Sequence, residues 1–287
     1  MRSLLSGGLI AVLSLFVSLV ILEYCLPHFD VNSGLPPNGQ VAGKRYTWGH
    51  EVRKNSFGAR GPEPAIPKPP NVYRVLIIGD SLTWGAGVSE EERYSNVAEH
   101  LLKDLDFSKH IEIVNIAQQG NPLIAYRDQL LKLGEQLEPN LVVIGFCLND
   151  PQPAPQDYSS ERASYIKRQK ALLLKAISIQ RYFPHIGQLL RRTIIQWGEW
   201  RGVYPAWPDA LERVYDPKSS EWQRFEVALK EIVTWSTLHG LPQPIFAVLN
   251  QGSSTVNPTW YSKPDPLLLR FQRWWAQALA AAQSSGF

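Results

Sequence analysis

The sequence predicts an α/β domain built on a mainly parallel β-sheet, and three observations carry that prediction. Short, β-branched apolar runs recur and stop at turn residues, as in Arg74-Val75-Leu76-Ile77-Ile78 before Gly79. Helical patterns with one apolar face lie between those runs. Polar or small residues follow directly behind the strand ends, where parallel sheets carry their chemistry.

Tyr73 to Ile78 is the first expected strand. Gly79 lets the chain turn without a side-chain clash, and Asp80-Ser81-Leu82 follow it. Gly85 and Gly87 precede a helical pattern with Val97, Leu101, Leu102 and Leu105 on one face. A strand, a sharp turn and a helix form the setting that displays a nucleophile. A serine there also reads as a plain helix cap, and this stretch alone leaves both open.

Ile111 to Ile116 is the second expected strand, with Ala117-Gln118-Gln119-Gly120 as its turn. Asn121-Pro122 is expected to open a helix, with asparagine as cap and proline in the first turn, where its missing N–H costs nothing. Leu123, Leu130, Leu131 and Leu137 form that helix's buried side. Leu141 to Phe146 is the third strand; Asn149-Asp150 and the proline-rich stretch Pro151 to Pro155 follow it. Ser81, Gly120 and Asn149 thus stand at three strand ends, which share one rim in a parallel sheet. Ile245 to Leu249 is a fourth strand. Leu267, Leu268, Phe271, Trp274, Trp275, Ala278, Leu279 and Ala282 make a helical stripe near the C-terminus.

A serine attacking an ester needs donors for the oxygen that becomes negative, and a glycine N–H with an asparagine amide supplies them. Singly, Gly120 reads as a turn residue and Asn149 as a satisfied loop amide. Their order and placement behind successive strands favour the chemical reading.

Gly79-Asp80-Ser81-Leu82, the Asn115 to Gly120 stretch and Asn149-Asp150 resemble the first three signature blocks of the SGNH, or GDSL, hydrolase family. The resemblance runs in detail from about Val72 to Asp150 and in outline to the end of the chain. It implies a flavodoxin-like three-layer sandwich with strand order 2-1-3-4-5. It also implies Ser81 as nucleophile, and an oxyanion hole made of the Ser81 N–H, the Gly120 N–H and the Asn149 amide. The expected activity is hydrolysis of an ester of a carbohydrate or lipid, without a cofactor. Cys147 stands where many relatives carry glycine. Asp80 and Asp150 read as turn organisers, because a carboxylate accepts nearby backbone N–H groups.

The C-terminal Asp-x-x-His block of that family is absent: none of His28, His50, His100, His110, His185 and His239 has an aspartate three residues before it. The expectation is therefore a chain cut short of a last strand and its histidine loop. Loss of the histidine from such a unit costs on the order of 10⁴ to 10⁶ in rate. His185 and His239 are poor substitutes, and His239-Gly240 reads as a helix end. A cell-envelope polysaccharide O-acyltransferase and a noncatalytic pseudoenzyme are the alternatives.

Leu4 to Leu22 holds no charge and is long enough to cross a bilayer, which predicts an uncleaved single-pass anchor with the catalytic domain outside the cytoplasm. The expected organisation is an anchor over residues 1–28, a linker and strap over 29–71, and a hydrolase-type domain over 72–287. That last domain carries a helical insertion at about 156–240. The strap includes Asn55-Ser56-Phe57-Gly58-Ala59-Arg60-Gly61, which resembles a stretch preceding the first block in membrane-anchored relatives; it reads as a cover over the sheet edge. The insertion interleaves Arg162, Lys167, Arg168, Lys170 and Arg191 with apolar residues, then presents Trp197, Trp200, Tyr204, Trp207 and Trp222. It reads as a helical cap or as a lid for sugar rings or acyl chains.

A charged fraction of 19% and a hydrophobic fraction of 44% exclude wholesale disorder. The net charge of +3 and the lack of a recognition motif give no nucleic-acid partner. Cys25 and Cys147 are expected as free thiols, and no Cys/His cluster offers a zinc ligand set.

Overall fold

The computed structural model describes residues 13–25, 39–41, 44–103, 105, 107–152, 178–179, 182–183, 185–187, 189–190, 193, 207–249 and 266–287. Helix α1 covers residues 13–25. Strands β1 (Gly39–Val41), β2 (Lys44–Thr47), β3 (His50–Val52) and β4 (Val72–Gly79) follow, then helices α2 (Ser81–Trp84) and α3 (Tyr94–Lys103). Next come β5 (His110–Asn115), α4 (Leu123–Leu137) and β6 (Leu141–Phe146). Helices α5 (Trp207–Val214) and α6 (Ser220–Leu238), strand β7 (Ile245–Val248) and helix α7 (Pro266–Ser285) complete the order. The chain divides into two compact units, Met1–Pro36 with Tyr158–Ala206, and Pro37–Asp157 with Trp207–Phe287.

In the second unit β5, β4, β6 and β7 lie side by side in that order, every pair parallel. This is the mainly parallel sheet expected, with the strands in sequence order 2-1-3-4. The central strand β4 is buried along almost its whole length because neighbours cover both its edges and helices cover its faces. Arg74 is admitted there because every part of its charge is matched. Its guanidinium meets Glu112 at 2.6 Å and donates to the carbonyls of Leu137 and Ala65.

The core lies mainly between the sheet and helices α4, α6 and α7. Leu123, Leu130 and Leu137 of α4 are buried as expected, whereas Leu131 faces outward and is 53% exposed. The apolar stripe of α3 also differs from expectation: Val97, Leu101 and Leu105 are exposed, and Ser95 is its buried residue, because Asn115 at the end of β5 draws that face in by a hydrogen bond. Trp222, Phe225, Leu229, Ile232 and Trp235 of α6 join the core. Helix α6 is therefore the crossover between β6 and β7. Of the span expected as an insertion, about 156–240, helices α5 and α6 fall in the unit that holds the sheet.

The segment expected as linker and strap contains a small antiparallel sheet, β1-β2-β3, followed by a Lys54–Arg60 bridge that closes a tight loop. Helix α4 begins at Leu123, with Pro122 rather than Asn121 in the capping position and no side-chain cap. The Leu123 N–H is satisfied instead by the carbonyl of Asp150 at 3.0 Å. At the other end of α6, His239 caps the helix and Gly240 adopts φ +67°, the helix end read from sequence.

In the first unit, the described part of the expected Leu4–Leu22 span is the helix α1, whose Leu13, Leu15, Phe16, Val17, Val20 and Ile21 are exposed. Residues before 13 lie outside the described set, and among described residues no helix is long and apolar enough to cross a membrane. Glu23 near the end of α1 accepts hydrogen bonds from the backbone N–H groups of His185 and Ile186, 2.7 and 2.9 Å long. The basic and aromatic residues expected at 162–175 and 191–204 lie outside the described residues.

Candidate active site

Strand β4 ends at Gly79, Asp80 takes the N-cap position, and Ser81 is the first residue of the one-turn helix α2. The helix-cap reading of Ser81 therefore does not hold, since Ser81 makes no capping bond and stands inside the helix. Asp80 makes none either. Its carboxylate points across to the neighbouring strand ends. It accepts the backbone N–H of Gly120 and, at 2.6 Å, the Nδ2 of Asn149. Ser81, Gly120 and Asn149 are thereby gathered around one carboxylate at one rim. Ser81 and Asn149 are half-buried and Gly120 is exposed, whereas Asp80 itself is buried.

The height of Ser81 over the sheet is set by packing behind it. Gly79 and Gly145 are register partners on β4 and β6, and Thr83 of α2 lies over both. A Cβ on either glycine would overlap the Thr83 hydroxyl. Asn115 at the end of β5 donates from Nδ2 to the Thr83 carbonyl at 2.7 Å and to Ser95 Oγ at 3.0 Å, and accepts the Ala117 N–H. One buried amide thus holds α2, α3 and the Gly120 loop together. Gly120 itself adopts φ +80°, a conformation costly for any residue with a side chain.

Asp150 completes a buried polar cluster. It accepts Tyr126 Oη–H at 2.6 Å and the Cys147 N–H at 2.9 Å. Burial holds its carboxyl well above the usual carboxylate range, and Asp80 pushes it the same way. Burial likewise raises the Tyr126 hydroxyl and the Cys147 thiol, with Asp150 adding to both. Ligand atoms of Asp80, Cys147 and Asp150 come within 4.8 Å of one another, a grouping the sequence reading did not anticipate. Both carboxylates already accept hydrogen bonds and the thiol is held in its protonated form, so the donor set is that of a hydrogen-bonded network.

The arrangement offers a serine hydroxyl and, on the carboxylate of the residue before it, one amide with a hydrogen to give. Asn149 Nδ2 carries two hydrogens and Asp80 holds one, which leaves the other for an incoming oxygen. The single N–H of Gly120 is held by Asp80. Ser81 Oγ makes no hydrogen bond among the described residues, and none of the described histidines is bonded to it. His239 is engaged elsewhere: its Nδ1 meets the Trp235 carbonyl at 2.8 Å and its ring stacks on Trp235. It precedes β7 and therefore sits at the opposite rim from Ser81. His100 and His110 line a groove of about 710 Å³ between the strap and α3, which none of Ser81, Gly120 and Asn149 lines. Cys25 and Cys147 are both free thiols.

Sequence reasoning found the three strand-end residues but missed the reach of Asp80, the hub role of Asn115 and the burial of Arg60. An acidic residue directly before the serine was visible, but its partners lie 40 and 69 residues away.

No family model matches the sequence, and no curated protein matches it. Among solved structures the chain is similar to TesA, with 14% identity over 74% of this chain and 99% of that one, at a TM-score of 0.29. It is also similar to AlinE4, an SGNH-hydrolase family esterase, with 13% identity over 76% and 98% at a TM-score of 0.30. A third is the lipase Lip_vut3 from a goat rumen metagenome, with 14% identity over 75% and 98% at a TM-score of 0.25. The family that the Gly79-Asp80-Ser81-Leu82 block resembles is thus also that of one of these structures. Identity and TM-score are low throughout, and the functional reading rests on this chain's own residues.

Proposed function

We propose that this chain is an SGNH-type serine esterase domain acting on an ester of a carbohydrate or lipid outside the cytoplasm, held at a membrane by its N-terminal segment. One observation carries the reading: Gly120 N–H and Asn149 Nδ2 meet on the carboxylate of Asp80, the residue directly before Ser81. Ser81 Oγ attacks the acyl carbon as its proton passes to solvent water, while the Ser81 N–H, the Gly120 N–H and the free Nδ2 hydrogen of Asn149 receive the carbonyl oxygen. The bond to the ester's alcohol then breaks, that alcohol leaves with a proton from water, and a second water hydrolyses the acyl group from Ser81. The Gly120 donor becomes available when Asp80 releases it. The exposed apolar surface of α1 and the uncharged run from Leu4 to Leu22 support membrane attachment.

A second reading, a noncatalytic descendant of such an enzyme, is favoured by the lack of a described histidine bonded to Ser81 and by the capture of the Gly120 donor. Labelling with a fluorophosphonate probe separates the two. Adduct on Ser81 that disappears in Ser81→Ala supports the esterase; no adduct in the wild-type protein leaves the noncatalytic reading. A polysaccharide O-acyltransferase shares the acyl-enzyme and differs only in the acceptor. With an activated acetyl ester and a polysaccharide both present, acetate release without modified polysaccharide rejects the transferase.

A further inference from the structure

The geometry points to the strap Asn55–Gly61 as the positioning element of the Ser81 turn, acting through the buried guanidinium of Arg60; this rests on the reading of Ser81 as nucleophile. Arg60 is 1% exposed, although it belongs to a segment outside the parallel sheet. Its Nη1 donates to the carbonyl of Gly85 at 2.6 Å, and its Nη2 to the carbonyl of Val88 at 2.8 Å. Its guanidinium carbon lies 5.2 Å from the ring centre of Trp84, the last residue of α2, which gives the cation a second attraction. The strap therefore grips the segment that begins one residue after α2 ends.

That segment is tied directly to the serine. The N–H groups of Gly85 and Ala86 both donate to the Ser81 carbonyl, at 3.0 and 2.9 Å. Gly85 adopts φ +85°, and a side chain there would collide with Arg93 and close on Arg60 Nη1 at 3.1 Å. From the other side, the Gly87 N–H donates to Thr47 Oγ1 at 2.9 Å. Ser81, Gly85 and Arg60 thus form a chain of two hydrogen bonds, and a planar fork with two donors fixes two carbonyls at once.

The other strap residues serve to deliver that fork. Asn55 Oδ1 accepts the N–H groups of Phe57 and Ala59, and its Nδ2 donates to the Pro62 carbonyl, which closes the loop. Ser56 gives both its N–H and its hydroxyl to Glu63. Gly58 takes φ +74°. Arg93 Nη1 donates to the Arg60 carbonyl at 2.8 Å, holding the backbone from which the guanidinium extends. A loop that merely covered a sheet edge would have no need to bury a cation against the turn behind the serine.

The test compares the full-length wild-type protein with Arg60→Lys, Arg60→Gln and Asn55→Ala. Amide hydrogen exchange is read over residues 81–88, with 141–146 of β6 as internal reference, alongside the maximal rate and half-saturating concentration of fluorophosphonate labelling. The expected result is faster exchange over 81–88 alone and a maximal labelling rate about 10²-fold lower at unchanged half-saturation. Lysine should rescue little, since one ammonium does not span both carbonyls as the fork does. Asn55→Ala leaves no buried charge exposed and keeps the test valid where an Arg60 variant fails to fold. Unchanged exchange over 81–88, or equal loosening of β6, overturns the positioning role. Wild-type protein that takes no label, or label that persists in Ser81→Ala, sinks the nucleophile reading instead, and the exchange data still decide whether the strap holds the turn.

Discussion

Asn149 Nδ2 donates a 2.6 Å hydrogen bond to the Asp80 carboxylate, which ties the loop behind the third sheet strand in sequence to the residue immediately before Ser81. The same carboxylate holds the Gly120 N–H. One acidic side chain therefore gathers the three strand ends, and its removal should spread them.

Asp80→Asn is expected to lower unfolding stability by about 1.5–3 kcal/mol, the range for a hydrogen bond to a charged group. An amide there would also turn donors toward donors. Urea unfolding gives the stability change, and fluorophosphonate labelling of Ser81 should fall with it. Faster labelling would instead mean that Asp80 chiefly blocks the donors.

Asn149→Ala separates catalysis from architecture. Removal of one oxyanion donor costs about 10²–10³ in rate, so labelling or esterase turnover should fall by that factor. Asn149 is half-buried, and its loss should cost less stability than that of Asp80.

The pH dependence of stability should carry the mark of Asp150. Burial raises its folded-state pKa well above the ordinary 3.8, so the folded chain keeps a proton that the unfolded chain releases. The resulting stabilisation is complete below the unfolded pKa and fades as pH rises toward the folded one. Asp150→Asn keeps an oxygen for the Cys147 N–H and does not titrate. Urea midpoints at about pH 4 and pH 8 should fall more for wild type than for this variant, and equal slopes would exclude Asp150 as the source.

Gly134→Ala tests the contact between α4 and α6. Alanine favours a helix over glycine by about 1 kcal/mol, yet its methyl would collide with the ring of Trp235. Overpacking of about 1–3 kcal/mol outweighs the propensity gain, so thermal unfolding should move to lower temperature.

The strands were legible because continuous apolar runs admit few other readings. Leu141–Phe146 appears with the boundaries expected, and Val72–Gly79 extends the expected run by one residue at each end. The helix faces were less legible, since periodicity shows that a stripe exists and tertiary packing decides whether it is covered. Leu101 and Leu131 lie on such stripes and face outward. The start of α4 escaped because its first N–H is satisfied by Asp150, far along the chain, and no local cap announces that. At the candidate site, Ser81, Gly120 and Asn149 were visible as strand-end residues, whereas Asp80 and Arg60 act on partners distant in sequence.

Thr83 rests on two bare backbone positions, Gly79 and Gly145, and that seat leaves the Ser81 turn little vertical tolerance. A single methyl group added at either position would overlap the Thr83 hydroxyl and press the first turn of α2 away from the strand tips. Sequence change on this scaffold is therefore easier in the loops around the strand tips than in the floor beneath Ser81, which Thr83 already fills.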